Sequence, residues 1–238
     1  MSQFNAHDEM TMGPVPFAHD ADVQTRANFI TKTYVHLLGA VLVFVGLEFL
    51  LYPLAGSLMG TMLSGTYSWL IVLGMFMLVS WVARSWADSA TSVPLQYAGL
   101  SLYVVAQAII FVPLIYIGLQ YNGVIETAAL ITVLLFFGLT FVVFLTRKDF
   151  SFLRGILIFA GIAALGLIVC SIIFGFSLGL VFSVVMVSLA CGYILYDTSN
   201  VLHHYRIGQH VAAALALFAS VALLFWYVLR IVIGMNRD

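Results

Sequence analysis

Gly192-Tyr193-Ile194-Leu195-Tyr196-Asp197-Thr198-Ser199-Asn200 closes an apolar run that begins at Phe176 and carries no charge through Tyr196. A helix needs about 20 apolar residues to cross a bilayer, and this run supplies them. It reads as a transmembrane segment, and Asp197 is the first place where that segment meets an ion. A carboxylate at the end of a lipid-embedded helix is costly unless it faces protein, water or a counter-charge. What Asp197 does therefore depends on its neighbours.

The rest of the chain repeats the pattern. Of 238 residues, 63% are hydrophobic and 8% charged, with a mean hydropathy of +1.11. An ordinary soluble domain carries about 25% charged residues. Apolar segments at 29–54, 67–82, 95–116, 124–145 and 152–174 precede the one at 176–197, and another follows at 211–233. The fold class is an all-α membrane protein, a bundle of seven transmembrane helices. Pro53 is expected to end the first segment, with an uncharged loop at 55–66. Pro113 is expected to kink the third, and Gly175 permits a tight turn between the fifth and sixth. Residues 1–28 form a polar tail with too little apolar area to order itself, and 29–238 form the membrane domain. No secretory leader is visible in the tail. No internal repeat is visible, so a transporter of inverted halves has no support. Gly161 with Ala164, and Gly175 with Gly179, would let helices approach closely.

Charge placement orients the bundle. With the tail on one side, the loops after segments two, four and six share that side. It then receives Arg26, Lys32, Arg84, Arg147, Lys148, Arg154 and Arg206, and leaves only Arg230 and Arg237 for the other. Basic residues concentrate in cytoplasmic loops, so the N-terminus is read as cytoplasmic and the C-terminus as external. A re-entrant seventh segment would return the C-terminus to the cytoplasm. The compartment is read as a cytoplasmic (inner) membrane, crossed many times.

The same topology sorts the ionisable groups by depth. Glu48, Glu126 and Arg230 share the outer level, and Arg230 is expected to pair with one of the two glutamates, the alternative being that each snorkels separately to the interface. Asp197 lies at the inner level, with Arg84, Arg147, Lys148 and Arg206 as candidate partners. It reads either as a gate released by protons or divalent cations or as an ordinary salt bridge. Tyr193 and Asn200 lie one turn away and would add oxygens, a thin set for Ca2+, which prefers about 6–8 oxygen ligands. His36 reads as a helix-to-helix hydrogen-bonding group. His203, His204 and His210 read as a cytoplasmic pH sensor or as a solvated loop. His7, His19, Met10 and Met12 offer a metal-binding tail or a solvated terminus. Cys170 and Cys191 fall at different depths and read as core residues.

Several functions are excluded. A net charge of −1 recruits no nucleic acid. There is no Gly-x-Gly-Asp to supply a second catalytic acid beside Tyr196-Asp197, no Gly-x-Ser-x-Gly, and no His-Glu-x-x-His. No enzymatic activity and no cofactor is expected.

Three stretches together resemble the Bax inhibitor-1 family in its bacterial branch: Lys32-Thr33-Tyr34-Val35-His36-Leu37, Thr146-Arg147-Lys148-Asp149-Phe150-Ser151-Phe152-Leu153, and Gly192 to Thr198. The run from Leu223 to Ile231 resembles the family's last helix. The resemblance implies a bundle whose last helix is central. It also implies a pH-sensitive Ca2+ leak, or modulation of a membrane-embedded protease. In the leak, two aspartates share a proton, one at the Tyr-Asp-Thr position and one in the last helix. Asp197 matches the first; Ser220 stands where the second is expected. Two readings follow from the resemblance. One is a Ca2+ or cation leak gated by Asp197, Ser220 and Arg84, with Glu48 and Glu126 as outer acids. The other is a non-transporting regulator that binds a membrane partner such as a protease.

Overall fold

The computed structural model describes residues 15–65, 67–89 and 92–236. The helices are α1 (Val23–Leu51), α2 (Ala55–Met62), α3 (Ser68–Ala87), α4 (Val93–Gly118), α5 (Val124–Thr146), α6 (Leu153–Phe174), α7 (Gly179–His203) and α8 (His210–Met235). They make seven crossings, because α1 and α2 run on as one apolar stretch, Val23–Met62. The expected loop at 55–66 is therefore largely helix. Pro53 sits at the start of a 3-10 turn, Tyr52–Leu54. The missing proline N–H costs nothing in a first turn, so the chain continues rather than stopping. Pro113 likewise lies inside α4, which runs on to Gly118. Gly123 (φ 75°) and Gly175 (φ 70°) hold the left-handed turns that bracket α5 and α6.

The bundle is organised around its last helix. α8 packs against α1, α3, α4, α5 and α7. Its most apolar window is 78% buried, against 11% for α3 and for α6. Its side chains are small where neighbours come close, as at Ala212, Ala213 and Ala214, and aromatic where they interlock. Phe111 of α4 is fully buried, with ring centroids 5.1 Å from Phe44 of α1 and 4.9 Å from Trp226 of α8. Offset and edge-to-face pairs at such distances add about 0.5–1.5 kcal/mol beyond burial. The outer surface is the reverse of a soluble protein's. Phe49, Trp81, Phe159 and Val181 are all more than 70% exposed, the arrangement expected where lipid is the solvent.

The membrane domain begins before residue 29. Asp22 caps α1 by accepting from the N–H groups of Gln24 and Thr25 at 3.1 and 3.0 Å. Residues upstream of it are clasped to the loop between α7 and α8. Ala18 N–H donates to the Tyr205 carbonyl (2.8 Å), and Ile207 N–H donates to the Pro16 carbonyl (3.0 Å). The Arg206 guanidinium covers the Phe17 ring at 5.0 Å, and Ala18 is fully buried. Cation–π contact and backbone pairing thus order a stretch whose composition is polar. His7, Met10 and Met12 lie outside the described residues.

Candidate functional site at the α7–α8 contact

Asp197 is not at a helix end. α7 continues to His203, because Asp197 and Ser199 find partners within the fold. Ser199 accepts the Phe150 N–H at 2.9 Å, which docks the charged loop between α5 and α6 onto α7. Asp149 closes that dock. It accepts the Ser151 N–H at 2.8 Å and contacts His204 Nε2 at 3.0 Å. Slight burial raises the Asp149 carboxyl, but these donors outweigh it and hold it below its usual value. His203 Nδ1 donates to the Ser199 carbonyl (3.0 Å), and the His203 carbonyl accepts from His19 Nδ1 (2.7 Å).

Asp197 itself is part-buried, and its Oδ2 accepts the hydroxyl hydrogen of Ser220 on α8. Ser220 is 5% exposed. The structure thus brings Asp197 and Ser220 together, the two positions that the resemblance singled out. Arg84 stands close enough to act electrostatically on Asp197. Among the described residues it makes no ion pair with it, and its guanidinium instead lies 5.4 Å from the centroid of the Tyr103 ring. Arg147, Lys148 and Arg206 make no ion pair with Asp197 among the described residues either. Tyr193 is turned away, donating to the Leu157 carbonyl on α6 at 2.9 Å, so it adds no hydrogen-bonding oxygen to the site.

Two further groups complete the site, and sequence reading did not single them out. Asp88 caps the C-terminus of α3, one turn beyond Arg84. Burial raises its carboxyl above the ordinary value, and Arg84 offsets part of the rise. Tyr205 lies in the loop after α7, its hydroxyl raised by burial and then by the negative charges of Asp197 and Asp88. The spacing of Arg84 and Asp88 was the available signal, since residues four apart share a helix face. The site is therefore two acids, one guanidinium and two tyrosines gathered at the basic end, with a single serine as direct partner to the deeper acid. Among the described residues no group of three His, Cys, Asp or Glu side chains is placed to hold a metal ion.

Other expected contacts divide. His36 does link helices: its Nδ1 donates to the Lys32 carbonyl (2.7 Å), so the neutral ring accepts from the Tyr97 hydroxyl of α4 at Nε2 (2.8 Å). His210 lies beside it, 4.9 Å between ring centroids. The outer ion pair does not form. Among the described residues Arg230 pairs with neither glutamate. Glu126 is exposed at the start of α5, and Glu48 of α1 keeps one carboxylate oxygen buried without a partner. A shared depth did not give a shared face. Cys170 and Cys191 are free thiols.

Comparison with known proteins agrees with this architecture. Residues 26–238 match the family described as inhibitor of apoptosis-promoting Bax1. An uncharacterized protein of Pseudomonas aeruginosa is 37% identical over 118 residues, 49% of this chain and 53% of that protein. YccA of Escherichia coli, a modulator of FtsH protease, is 32% identical over 124 residues, 52% of this chain and 56% of YccA. Protein LIFEGUARD 1 of Arabidopsis thaliana is 27% identical over 217 residues, 88% of this chain and 90% of that protein. The chain thus spans little more than half the length of the two bacterial relatives, at 53% and 56%. No solved structure matches.

Proposed function

The chain belongs to the Bax inhibitor-1 family, and from that premise we propose that it is a regulatory protein of the cytoplasmic membrane. In this reading it acts by binding another membrane protein, a membrane-embedded protease being the class that the name of its relative YccA supports. The observation that carries this reading is the hydroxyl of Ser220 on Asp197. A proton-sharing switch needs two carboxylates held close, so that both cannot ionise. A serine hydroxyl donates a hydrogen bond to the carboxylate but is not a second acid with which a proton can be shared. The pair then acts as a fixed tie between α7 and α8 rather than as a switch. The basic end, with its tail clasp and docked loop, is the face offered to a cytoplasmic partner.

A second reading, a Ca2+ or other cation leak, is favoured by the placement of Asp197 and Asp88 with Arg84 at one end of the bundle. In that reading Asp197 is the inner gate and Glu48 and Glu126 are outer acids. Ca2+ flux into proteoliposomes at several pH values separates the two. The parent protein is expected to give no flux above empty vesicles, and Ser220→Asp is expected to gain pH-dependent flux. Parent flux that disappears in Asp197→Asn would transfer the assignment to the leak. Crosslinking in cells, followed by purification of the full chain, is expected to recover the membrane protease of its host.

A further inference from the structure

Among the described residues Arg230 is the one cation set among the outer halves of the helices, and its surroundings differ on its two sides. Toward the bundle interior lies a cavity of 550 Å³, flanked by α3 on one side and α6 on the other and floored by α8. Its walls are chiefly apolar, with Trp69, Leu165, Ile168 and Leu223 among them. On α8 it runs from Ala219 to Arg230, about 16 Å at 1.5 Å per residue. Toward the membrane surface lies a second slot of 330 Å³ between the ends of α4, α7 and α8, with Ser183, Gly179 and Gly234 in its lining. Arg230 is the only residue the two share. Its guanidinium rests 5.9 Å from the centroid of the Tyr227 ring and pairs with no carboxylate among the described residues.

The arrangement is that of an amphiphile site. A long apolar slot ends at a cation, and a short, more polar slot continues from that cation toward water. α6 packs on α7, and α3 chiefly on α4, so the flanking helices lean on different neighbours and are not held together over the cavity. Arg230 lies five residues from the end of α8, near headgroup level. An unpaired guanidinium there is stabilised by an anion more than by water alone. We propose that the cavity between α3 and α6 binds an anionic phospholipid of the leaflet opposite the basic end, with one acyl chain in the long slot and the phosphate on Arg230. Charge selects the occupant: an apolar chain alone would not use the arginine, and a divalent cation is repelled by it.

The test is native mass spectrometry of the detergent-purified full chain titrated with phosphatidylglycerol or phosphatidylcholine. Phosphatidylglycerol is expected to be retained in preference. Arg230→Gln is expected to lower that preference about fivefold, the equivalent of one basic residue acting on an anionic headgroup, whereas Arg230→Lys keeps it. Leu165→Trp, which fills the long slot from a part-buried position on α6, is expected to lose both lipids while leaving the thermal midpoint near that of the parent. An unchanged preference in Arg230→Gln overturns the proposal. So does unchanged binding in Leu165→Trp, or a parent dimer that lipid does not disperse, which would mean that a second copy fills the cavity.

Discussion

Deleting the Ser220 hydroxyl tests the central contact directly. The hydroxyl is the direct hydrogen-bond partner of Asp197 and is itself buried. A hydrogen bond to a charged group contributes about 1.5–3 kcal/mol. Ser220→Ala removes one oxygen and leaves almost no cavity, so that term dominates, and a loss of about 1.5–3 kcal/mol is expected. Asp197→Asn keeps an acceptor oxygen for Ser220 and should lose less. Asp197→Leu removes charge and acceptor together, so adding Ser220→Ala to it should cost almost nothing. The assay is thermal unfolding of the full chain in detergent at neutral pH, over the four corners of the cycle. A coupling of about 1.5–3 kcal/mol is expected, and additive single losses would refute the argument. Arg84→Gln is the control. If Arg84 were the true partner, its cycle with Asp197→Leu would carry the larger coupling.

Four further outcomes follow from local geometry. A Cβ at Gly99 would meet the backbone N of Ala87 at 2.6 Å and Trp86 Cβ at 3.0 Å; backbone cannot swing aside, so Gly99→Ala should cost about 1–3 kcal/mol in thermal unfolding, and a neutral result would mean that α3 and α4 are not so close. The Tyr34 hydroxyl lies beside those of Thr140 and Thr198, and none of the three has an aligned partner among the described residues; Thr198→Val should therefore be neutral or stabilising by up to about 1 kcal/mol, and a larger loss would show that the hydroxyl is engaged. Burial raises the Asp88 carboxyl above 3.8 despite Arg84. A raised acid favours the fold fully below its unfolded value and less as pH climbs through the folded one, so Asp88→Asn should flatten the fall in stability above about pH 4, and an unchanged slope would assign that fall to another group. Phe17→Ala should speed amide exchange at Ala18 and Ile207, the two donors of the clasp; unchanged exchange would mean that backbone pairing holds the clasp without the ring.

What the sequence made legible follows from which signals are one-dimensional. Crossing a bilayer is a matter of length and hydropathy, so the seven apolar runs showed directly, and the Tyr-Asp-Thr stretch tied them to a known architecture. Ends of helices were harder. Hydropathy stops at Tyr196 and at Pro53, but the chain stays helical where Asp197, Ser199 and Pro53 each find a setting that suits them. Helix faces were harder still. Glu48, Glu126 and Arg230 share a level, yet depth fixes only the position along an axis, and rotation is set by packing. The same limit hid Asp88 and Tyr205, which join the site from a cap and a loop. The clasp at Phe17 lay in a stretch whose composition argued for disorder, because one ring under one arginine leaves no periodic trace.

The position of that clasp bears on how a partner could act. Residues 16–18 pair with the loop that leads from α7, which carries Asp197, to α8, which carries Ser220. The turn of α7 before that loop is held by Ser199 and His204 against the loop between α5 and α6. Under the proposed regulatory role, a partner that engaged the tail would pull on the segment joining the two halves of the central contact. It would gain purchase on α8, which touches five other helices. Tight packing favours discrete rearrangement over gradual deformation. Binding at the basic end would then be felt across the bundle without any ion having to move.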